Sequence, residues 1–338
     1  MDIKFGKLAI FDGSYMLHRA LHIPELFNLS TTRGEGTGAV FSVIKMINKE
    51  LRYCKNFYPV ICFDGGLSKR RLELDSKYKR ADERELDKQR RLLEIEPEDE
   101  YIIQYRSQRG ILIETLRYFG IPSLKYPGWE GDDLMYILSK ESQESIVLTD
   151  DRDLLQLVSS KCSVRRPMAE EVWDNNNFRK EFNLGEEYEF VMTKALLGDG
   201  SDNIPSSCKG VGKGTSLGMI AIINKFRNGT DYDFTNYPRT VESMKKFCSE
   251  SGINYRKAYL NFDEERYITN LGLVDLDLVN TEPDIYQIIN SMNATISCCR
   301  EESNYFKALE MMKRYEIKDI SVDELINNVS NRRPSLNY

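Results

Sequence analysis

The run Leu8-Ala9-Ile10-Phe11, followed by Asp12-Gly13-Ser14, indicates how this chain folds. Consecutive apolar residues are typical of a strand that is buried on both faces of a parallel sheet. The same pattern recurs in Val60-Ile61-Cys62-Phe63 and in Ser145-Ile146-Val147-Leu148-Thr149, and each run leads into an acid. Stretches whose apolar residues recur with the period of a helix separate these runs. The sequence therefore predicts an α/β fold with a central, mostly parallel sheet flanked by helices. The predicted helices cover residues 40–53, 101–119, 132–140 and 188–197.

Length and composition limit the class of protein. The chain has 338 residues, of which 41% are hydrophobic, so it can bury a sizeable core. We expect two parts, an α/β core over residues 1–190 and a helical lobe over residues 191–338. No apolar run approaches the roughly 18 residues that cross a membrane, and no secretory signal pattern opens the chain. The seven cysteines include no Cys-x-x-Cys pair. We therefore expect a monomeric, cytoplasmic protein without a membrane partner.

The charge is unevenly distributed along the chain. The net charge is −6, yet residues 69–91 carry ten Lys or Arg against six Asp or Glu. This stretch has few large apolar residues, so it cannot contribute much to a core. It predicts an exposed helical excursion between the second strand and the helix that begins near residue 101.

Carboxylates follow all three predicted strands. The carboxyl ends of parallel strands meet at one edge of a sheet, where working crevices form. Further acids stand in Glu130-Gly131-Asp132-Asp133 and in Asp199-Gly200-Ser201-Asp202. Such a cluster is costly unless cations neutralise it, and carboxylate oxygens suit Mg²⁺ or Mn²⁺. Two ions about 4 Å apart can activate a water and stabilise displacement at phosphorus. The pattern predicts magnesium-dependent cleavage of phosphodiester bonds.

Other interpretations of these acids remain. A single Asp after a strand is commonly a turn or cap residue, and Asp132-Asp133 alone is compatible with an ordinary helix start. Asp12-Gly13-Ser14 also suggests a phosphatase with an aspartyl nucleophile, but such sites commonly need an acid where Ser14 stands. The conjunction of five acidic elements favours the metal site.

The chain resembles the 5′ nuclease family, which includes flap endonucleases, the 5′ nuclease domain of bacterial DNA polymerase I and bacteriophage ribonucleases H. The resemblance covers roughly residues 8–226 and depends on five motifs in family order. These are Phe11-Asp12-Gly13-Ser14-Tyr15, Phe63-Asp64 with Arg71 and Tyr78-Lys79, Pro127-Gly128-Trp129-Glu130-Gly131-Asp132-Asp133, Thr149-Asp150-Asp151-Arg152-Asp153, and Gly198-Asp199-Gly200-Ser201-Asp202-Asn203. No polymerase domain follows them, so we expect a free-standing nuclease of the kind that bacteriophages encode.

The resemblance implies roles for individual residues. It implies nine ligands for two Mg²⁺ ions, with Mn²⁺ as a substitute, namely Asp12, Asp64, Glu130, Asp132, Asp133, Asp151, Asp153, Asp199 and Asp202. It also implies a helical arch over about residues 65–107, whose catalytic residues Arg71, Lys79 and Arg84 would contact the scissile phosphate.

The resemblance further implies a duplex-binding helix-turn-helix over about residues 195–226. Its glycine-rich turn supplies the expected DNA-binding residues, Lys209, Gly210, Gly212, Lys213, Gly214 and Thr215, and K⁺ binding there is left open. The implied activity is that of a structure-specific 5′ nuclease, both flap endonuclease and 5′-3′ exonuclease, in DNA replication or repair. The implied partner is branched or nicked duplex DNA with a 5′ flap or an RNA–DNA primer. A replication clamp or a single-strand-binding protein is left open as a protein partner.

Two rival functions come from other classes. The first is a catalytically silent protein that grips branched DNA, which nine acids near phosphate disfavour. The second is a two-metal phosphoesterase acting on small molecules. The basic stretch and the glycine-rich turn favour a polymeric substrate over that alternative.

Overall fold

A six-stranded sheet organises the protein in a computed structural model, which describes residues 5–92, 99–182, 188–208 and 263–332. The strand order is β3-β2-β1-β4-β5-β6. All neighbouring pairs are parallel except β5 and β6, which are antiparallel. The strands are β1 Phe5–Asp12, β2 Tyr58–Cys62, β3 Ser123–Leu124, β4 Ser142–Leu148, β5 Cys162–Arg166 and β6 Glu171–Trp173.

The predicted α/β fold is confirmed, and β1 lies at its centre. Ile10 pairs with Val60 of β2 and with Val147 of β4, and all three side chains are fully buried. Both faces of these strands are covered, which is why they are continuous apolar runs. β3, β5 and β6 were not predicted. β3 has only two residues, and β5 carries two arginines in the sequence Cys-Ser-Val-Arg-Arg.

The four predicted helices are confirmed to within two residues at each end. Helix α1 packs against α3 and α6, and α7 packs against β1 and β4. The helices of the described residues are α1 Gly13–Leu21, α2 Pro24–Phe27, α3 Gly38–Leu51, α4 Lys69–Leu74, α5 Ala81–Leu92, α6 Glu100–Tyr118, α7 Gly131–Glu141, α8 Asn175–Phe182, α9 Tyr188–Leu197, α10 Glu264–Val274, α11 Ile285–Glu302, α12 Tyr305–Arg314 and α13 Val322–Ser330. Among them, none has the length and apolar character needed to cross a membrane.

The chain divides into two compact units that do not coincide with the predicted division at residue 190. The first unit comprises Met1–Leu67, Gln89–Asp174 and Val279–Tyr338, and the second comprises Ser68–Lys88 and Asn175–Leu278. The last segment joins the first unit because its helices bury apolar faces there. Helix α11 packs against α6 and β3, α12 packs against α6, and α13 packs against α3.

The described part of the second unit is helical. Helix α10 packs against both α9 and α4. Its core contains Tyr78, Val191, Met192, Ala195, Leu196, Ile204, Cys208, Tyr267, Leu271, Leu273 and Val274. Tyr78 thus gives the basic stretch an apolar contact, although most of that stretch is charged.

Candidate active site

Asp12 ends the central strand and is the most constrained of the predicted ligands. It caps α1, since its Oδ1 accepts the Tyr15 N–H at 2.9 Å. Its Oδ2 accepts the Thr149 hydroxyl at 2.8 Å. Burial raises the pKa of Asp12 to about 7, and the charges of Asp64 and Asp151 add to the rise against the two hydrogen bonds. Three strand ends therefore bring acids close enough to interact.

Asp64 follows β2 and links it to α7. Its backbone N–H donates to Ser14 Oγ at 2.9 Å. Its Oδ1 accepts the Gly131 N–H at 2.7 Å, at the first residue of α7. The hydrogen bond thus places the Asp64 carboxylate at the N-terminus of α7, where the free amides of a helix bind anionic groups.

Helix α7 begins with the next three acids. Glu130 caps it in a reciprocal capping box, in which Asp133 Oδ2 accepts the Glu130 N–H at 3.1 Å. Both of these residues are 2% exposed. Burial raises the pKa of the Cys62 thiol well above its usual value, and the charges of Asp12, Asp132 and Asp64 raise it further. Asp132 is therefore also a neighbour of the strand ends.

The end of β4 supplies Asp151 and Asp153. The Asp151 N–H donates to Thr149 Oγ1 at 3.0 Å, and Asp151 Oδ1 accepts the Asp153 N–H at 2.9 Å. The adjacent Asp150 has different partners, because its carboxylate accepts the Tyr15 hydroxyl at 3.3 Å and the Met168 N–H at 3.2 Å.

The acids of the first unit form a chain of neighbours around the strand ends. Within residues 5–92, 99–182, 188–208 and 263–332, no three His, Cys, Asp or Glu side chains stand in a ligating arrangement. The chemistry of the donor set nevertheless fits a hard divalent cation, because it offers carboxylate oxygens throughout.

The two remaining predicted ligands, Asp199 and Asp202, belong to the second unit and lie close to lysines. Lys194 Nζ is 3.2 Å from Asp199 Oδ2, and Lys79 Nζ is 3.7 Å from Asp202 Oδ2. Burial acts to raise the pKa of Asp199, but hydrogen bonding from Ser201 and the charge of Lys194 outweigh it, so the pKa is lowered.

The three predicted basic residues have unlike environments. Lys79 has a left-handed backbone (φ 49°), and its N–H donates to the Asp202 carbonyl at 2.9 Å. Arg71 is buried, and its Nε–H donates to the Leu273 carbonyl at 2.8 Å. Arg84 is exposed on α5. The predicted DNA-binding residues of the glycine-rich turn, which span 209–215, lie outside the described residues.

Sequence reasoning missed three residues that hold the acids. They are Thr149, which bonds to Asp12 and Asp151, Ser14, which accepts the Asp64 N–H, and Lys194, which pairs with Asp199. Thr149 could have been recognised from the sequence, because it is a polar residue at the end of an apolar run, directly before an acid. The sequence offers no comparable signal for Lys194.

Comparison with known proteins places the chain in a family. Residues 7–183 match the family model of the 5′-3′ exonuclease N-terminal resolvase-like domain. A 5′-3′ exonuclease of Aquifex aeolicus is 28% identical over 285 residues, covering 83% of this chain and 89% of that protein.

Two solved structures of bacteriophage T5 proteins share the fold. A T5 5′-exonuclease with divalent metal ions (zinc) bound has a TM-score of 0.63 at 20% identity, covering 86% of this chain and 98% of that chain. A T5 flap endonuclease with DNA and metal ions has a TM-score of 0.56 at 18% identity, covering 86% and 99%. Because the matching family model spans more than half of its residues, the chain belongs to the 5′-3′ exonuclease family.

Proposed function

We propose that this protein is a structure-specific 5′ nuclease, acting as both flap endonuclease and 5′-3′ exonuclease on branched or nicked duplex DNA. The observation that carries the proposal is the burial of the Asp12 carboxylate among other acids. This carboxylate is buried at the carboxyl end of the central strand, with the charges of Asp64 and Asp151 acting on it. Family membership supports the same reaction, since the related Aquifex protein is named a 5′-3′ exonuclease.

The proposed cofactor is a pair of Mg²⁺ ions, for which Mn²⁺ substitutes. The proposed ligands are Asp12, Asp64, Glu130, Asp132, Asp133, Asp151, Asp153, Asp199 and Asp202. When bound, such ions activate water and stabilise negative charge at phosphorus. The binding of divalent metal ions by the T5 proteins supports this assignment.

The proposed work of the basic residues is to hold the scissile phosphate. Lys79 places a compact positive charge beside Asp202, and Arg84 offers an exposed guanidinium. Arg71 is buried, and its Nε–H donates a hydrogen bond to the Leu273 carbonyl. We assign phosphate contact to Lys79 and Arg84, while Arg71 contributes through the position of α4.

The proposal also includes a binding site for the DNA duplex. The glycine-rich turn at residues 209–215 is proposed to bind duplex DNA away from the cut, with K⁺ as a candidate ligand there. RNA–DNA primers are included as substrates. The complex of the T5 flap endonuclease with DNA supports nucleic acid as the partner.

The test uses flap, nicked and RNA-primed duplexes, each labelled at the 5′ or the 3′ end. We expect release from 5′ ends in Mg²⁺ and none in EDTA. Asp153→Asn should abolish cleavage and leave DNA binding largely intact. Asp323→Asn, at an exposed acid of α13, should cleave like the wild type. Cleavage that survives chelation, or release only from 3′ ends, would refute the proposal.

A further inference from the structure

Thr149 connects two of the proposed ligands through one hydroxyl group. It follows β4, and its backbone N–H donates to the Arg165 carbonyl of β5 at 3.1 Å. The residue is 1% exposed. Its backbone is therefore fixed by the sheet, and its side chain is enclosed by protein.

This hydroxyl acts as a donor to one acidic residue and as an acceptor from the backbone of another. Oγ1 donates its only hydrogen to Asp12 Oδ2 at 2.8 Å and accepts the Asp151 N–H at 3.0 Å. Asp12 and Asp151 follow different strands, so one side chain bridges the carboxylate of Asp12 and the backbone of Asp151.

The geometry limits how Asp12 can orient. With the Tyr15 N–H on Oδ1 and the Thr149 hydroxyl on Oδ2, each carboxylate oxygen is held by one donor. A carboxylate offers about four lone-pair positions, so two hydrogen bonds fix its plane and leave acceptor capacity on both oxygens. This suits a ligand that must meet a cation in one orientation.

We propose that Thr149 is a positioning residue, which fixes the orientation of the Asp12 carboxylate beside Asp151 for the binding of a divalent cation. The proposal rests on the proposed function, because it takes both acids as cation ligands. Groups that orient ligands commonly affect metal affinity by about 10–100-fold when they are removed. Without the Thr149 hydroxyl, the Asp12 carboxylate keeps the hydrogen bond from the Tyr15 N–H but loses the second bond that fixes its orientation.

The test compares variants that differ in the hydroxyl alone. Thr149→Val keeps the β-branched shape and removes the hydroxyl, whereas Thr149→Ser keeps the hydroxyl. Thr115→Val is the matched control, because Thr115 is also fully buried and its hydroxyl donates only to the Ile111 carbonyl within α6. Mn²⁺ binding to each full-length protein without DNA is measured by calorimetry and electron paramagnetic resonance, with folding checked by circular dichroism.

We expect Thr149→Val to weaken Mn²⁺ binding about tenfold or more, and Thr149→Ser and Thr115→Val to bind Mn²⁺ like the wild type. In cleavage assays Thr149→Val should lower kcat at fixed Mg²⁺, regain rate at higher Mg²⁺ and keep the KM for DNA. If the valine variant does not fold, Thr149→Ala removes the same hydroxyl with less crowding.

Unchanged Mn²⁺ affinity in a folded variant that lacks the Thr149 hydroxyl would overturn the proposal. Equal weakening by Thr115→Val would overturn it too, because the effect would then follow from the loss of any buried hydroxyl. A wild type that binds Mn²⁺ but leaves 5′-labelled substrates intact refutes the nuclease function, whereas the affinities of the variants still decide the role of Thr149.

Discussion

Gly131 permits the close approach of helix α7 to the end of β2. Its N–H donates to Asp64 Oδ1 at 2.7 Å. A Cβ at this position would lie 3.1 Å from the same oxygen, which is closer than ordinary van der Waals contact. The absence of a side chain thus lets a helix amide reach a proposed cation ligand.

Gly131→Ala should therefore slow cleavage about tenfold with little change in thermal stability. The added methyl displaces the Asp64 carboxylate, while alanine remains acceptable in a helix. Cleavage rates in Mg²⁺ and thermal melts are the measurements. Gly110→Ala is the control, because a Cβ at that position in α6 would meet nothing within 4 Å. Equal rates for both variants would contradict the assigned role of Gly131.

Single residues were predictable where one strand fixes their position. Asp12, Asp64 and Asp151 follow apolar runs, so the edge at which they meet could be inferred from the pattern. Hydrogen bonds such as Thr149 to Asp12 could not be inferred, because 137 residues separate the partners. Such a bond depends on register and side-chain rotamer, which a single sequence does not encode in any local pattern.

Helix α4 is held by a buried arginine, although its sequence Lys-Arg-Arg-Leu-Glu-Leu indicates an exposed helix. Arg71 lies 3% exposed and donates through Nε to Leu273 at the end of α10. An arginine placed this way acts as a structural anchor for the element that contains it.

Arg71→Met should lower the free energy of unfolding by about 1–3 kcal/mol, because the Leu273 carbonyl loses a charged donor. Arg84→Met should leave stability unchanged and reduce cleavage, because an exposed cation is lost from the phosphate contact. Thermal melts and cleavage rates of both variants separate the two roles. A stable Arg71→Met protein with abolished cleavage would instead support direct phosphate contact by Arg71.

Elements were predictable where the apolar pattern is long or continuous. β1, β2, β4 and four helices followed from it, because burial on both faces or on one stripe sets the period. β5 was missed because Arg165 and Arg166 interrupt the apolar pattern. Arg165 is buried there through an ion pair with Glu50 of α3, and only the tertiary structure supplies that partner.

The whole molecule departs from a simple order of two consecutive domains. The first unit is assembled from three separate segments, the last of which begins at Val279. The predicted division at residue 190 placed that segment with the helical lobe, because α11 to α13 are helical.

Met292→Ala should destabilise the first unit by about 2–5 kcal/mol, because this side chain of α11 is fully buried. Tyr286→Ala in the same helix should change stability by less than about 0.5 kcal/mol, because Tyr286 is 77% exposed. Both tryptophans, Trp129 and Trp173, lie in the first unit, so their fluorescence during urea unfolding reports on it. A midpoint unaffected by Met292→Ala would place α11 outside that unit.

The position of the last segment also affects how the protein is made. A ribosome completes Asn175–Leu278, and with it the second unit, before Val279 is synthesised. Until α11 and α12 emerge, the faces of α6 and β3 that they cover remain exposed on the nascent chain. The second unit can therefore fold before the first is complete, whereas the sheet bearing Asp12 and Asp64 reaches its native packing only once α11 and α12 have emerged.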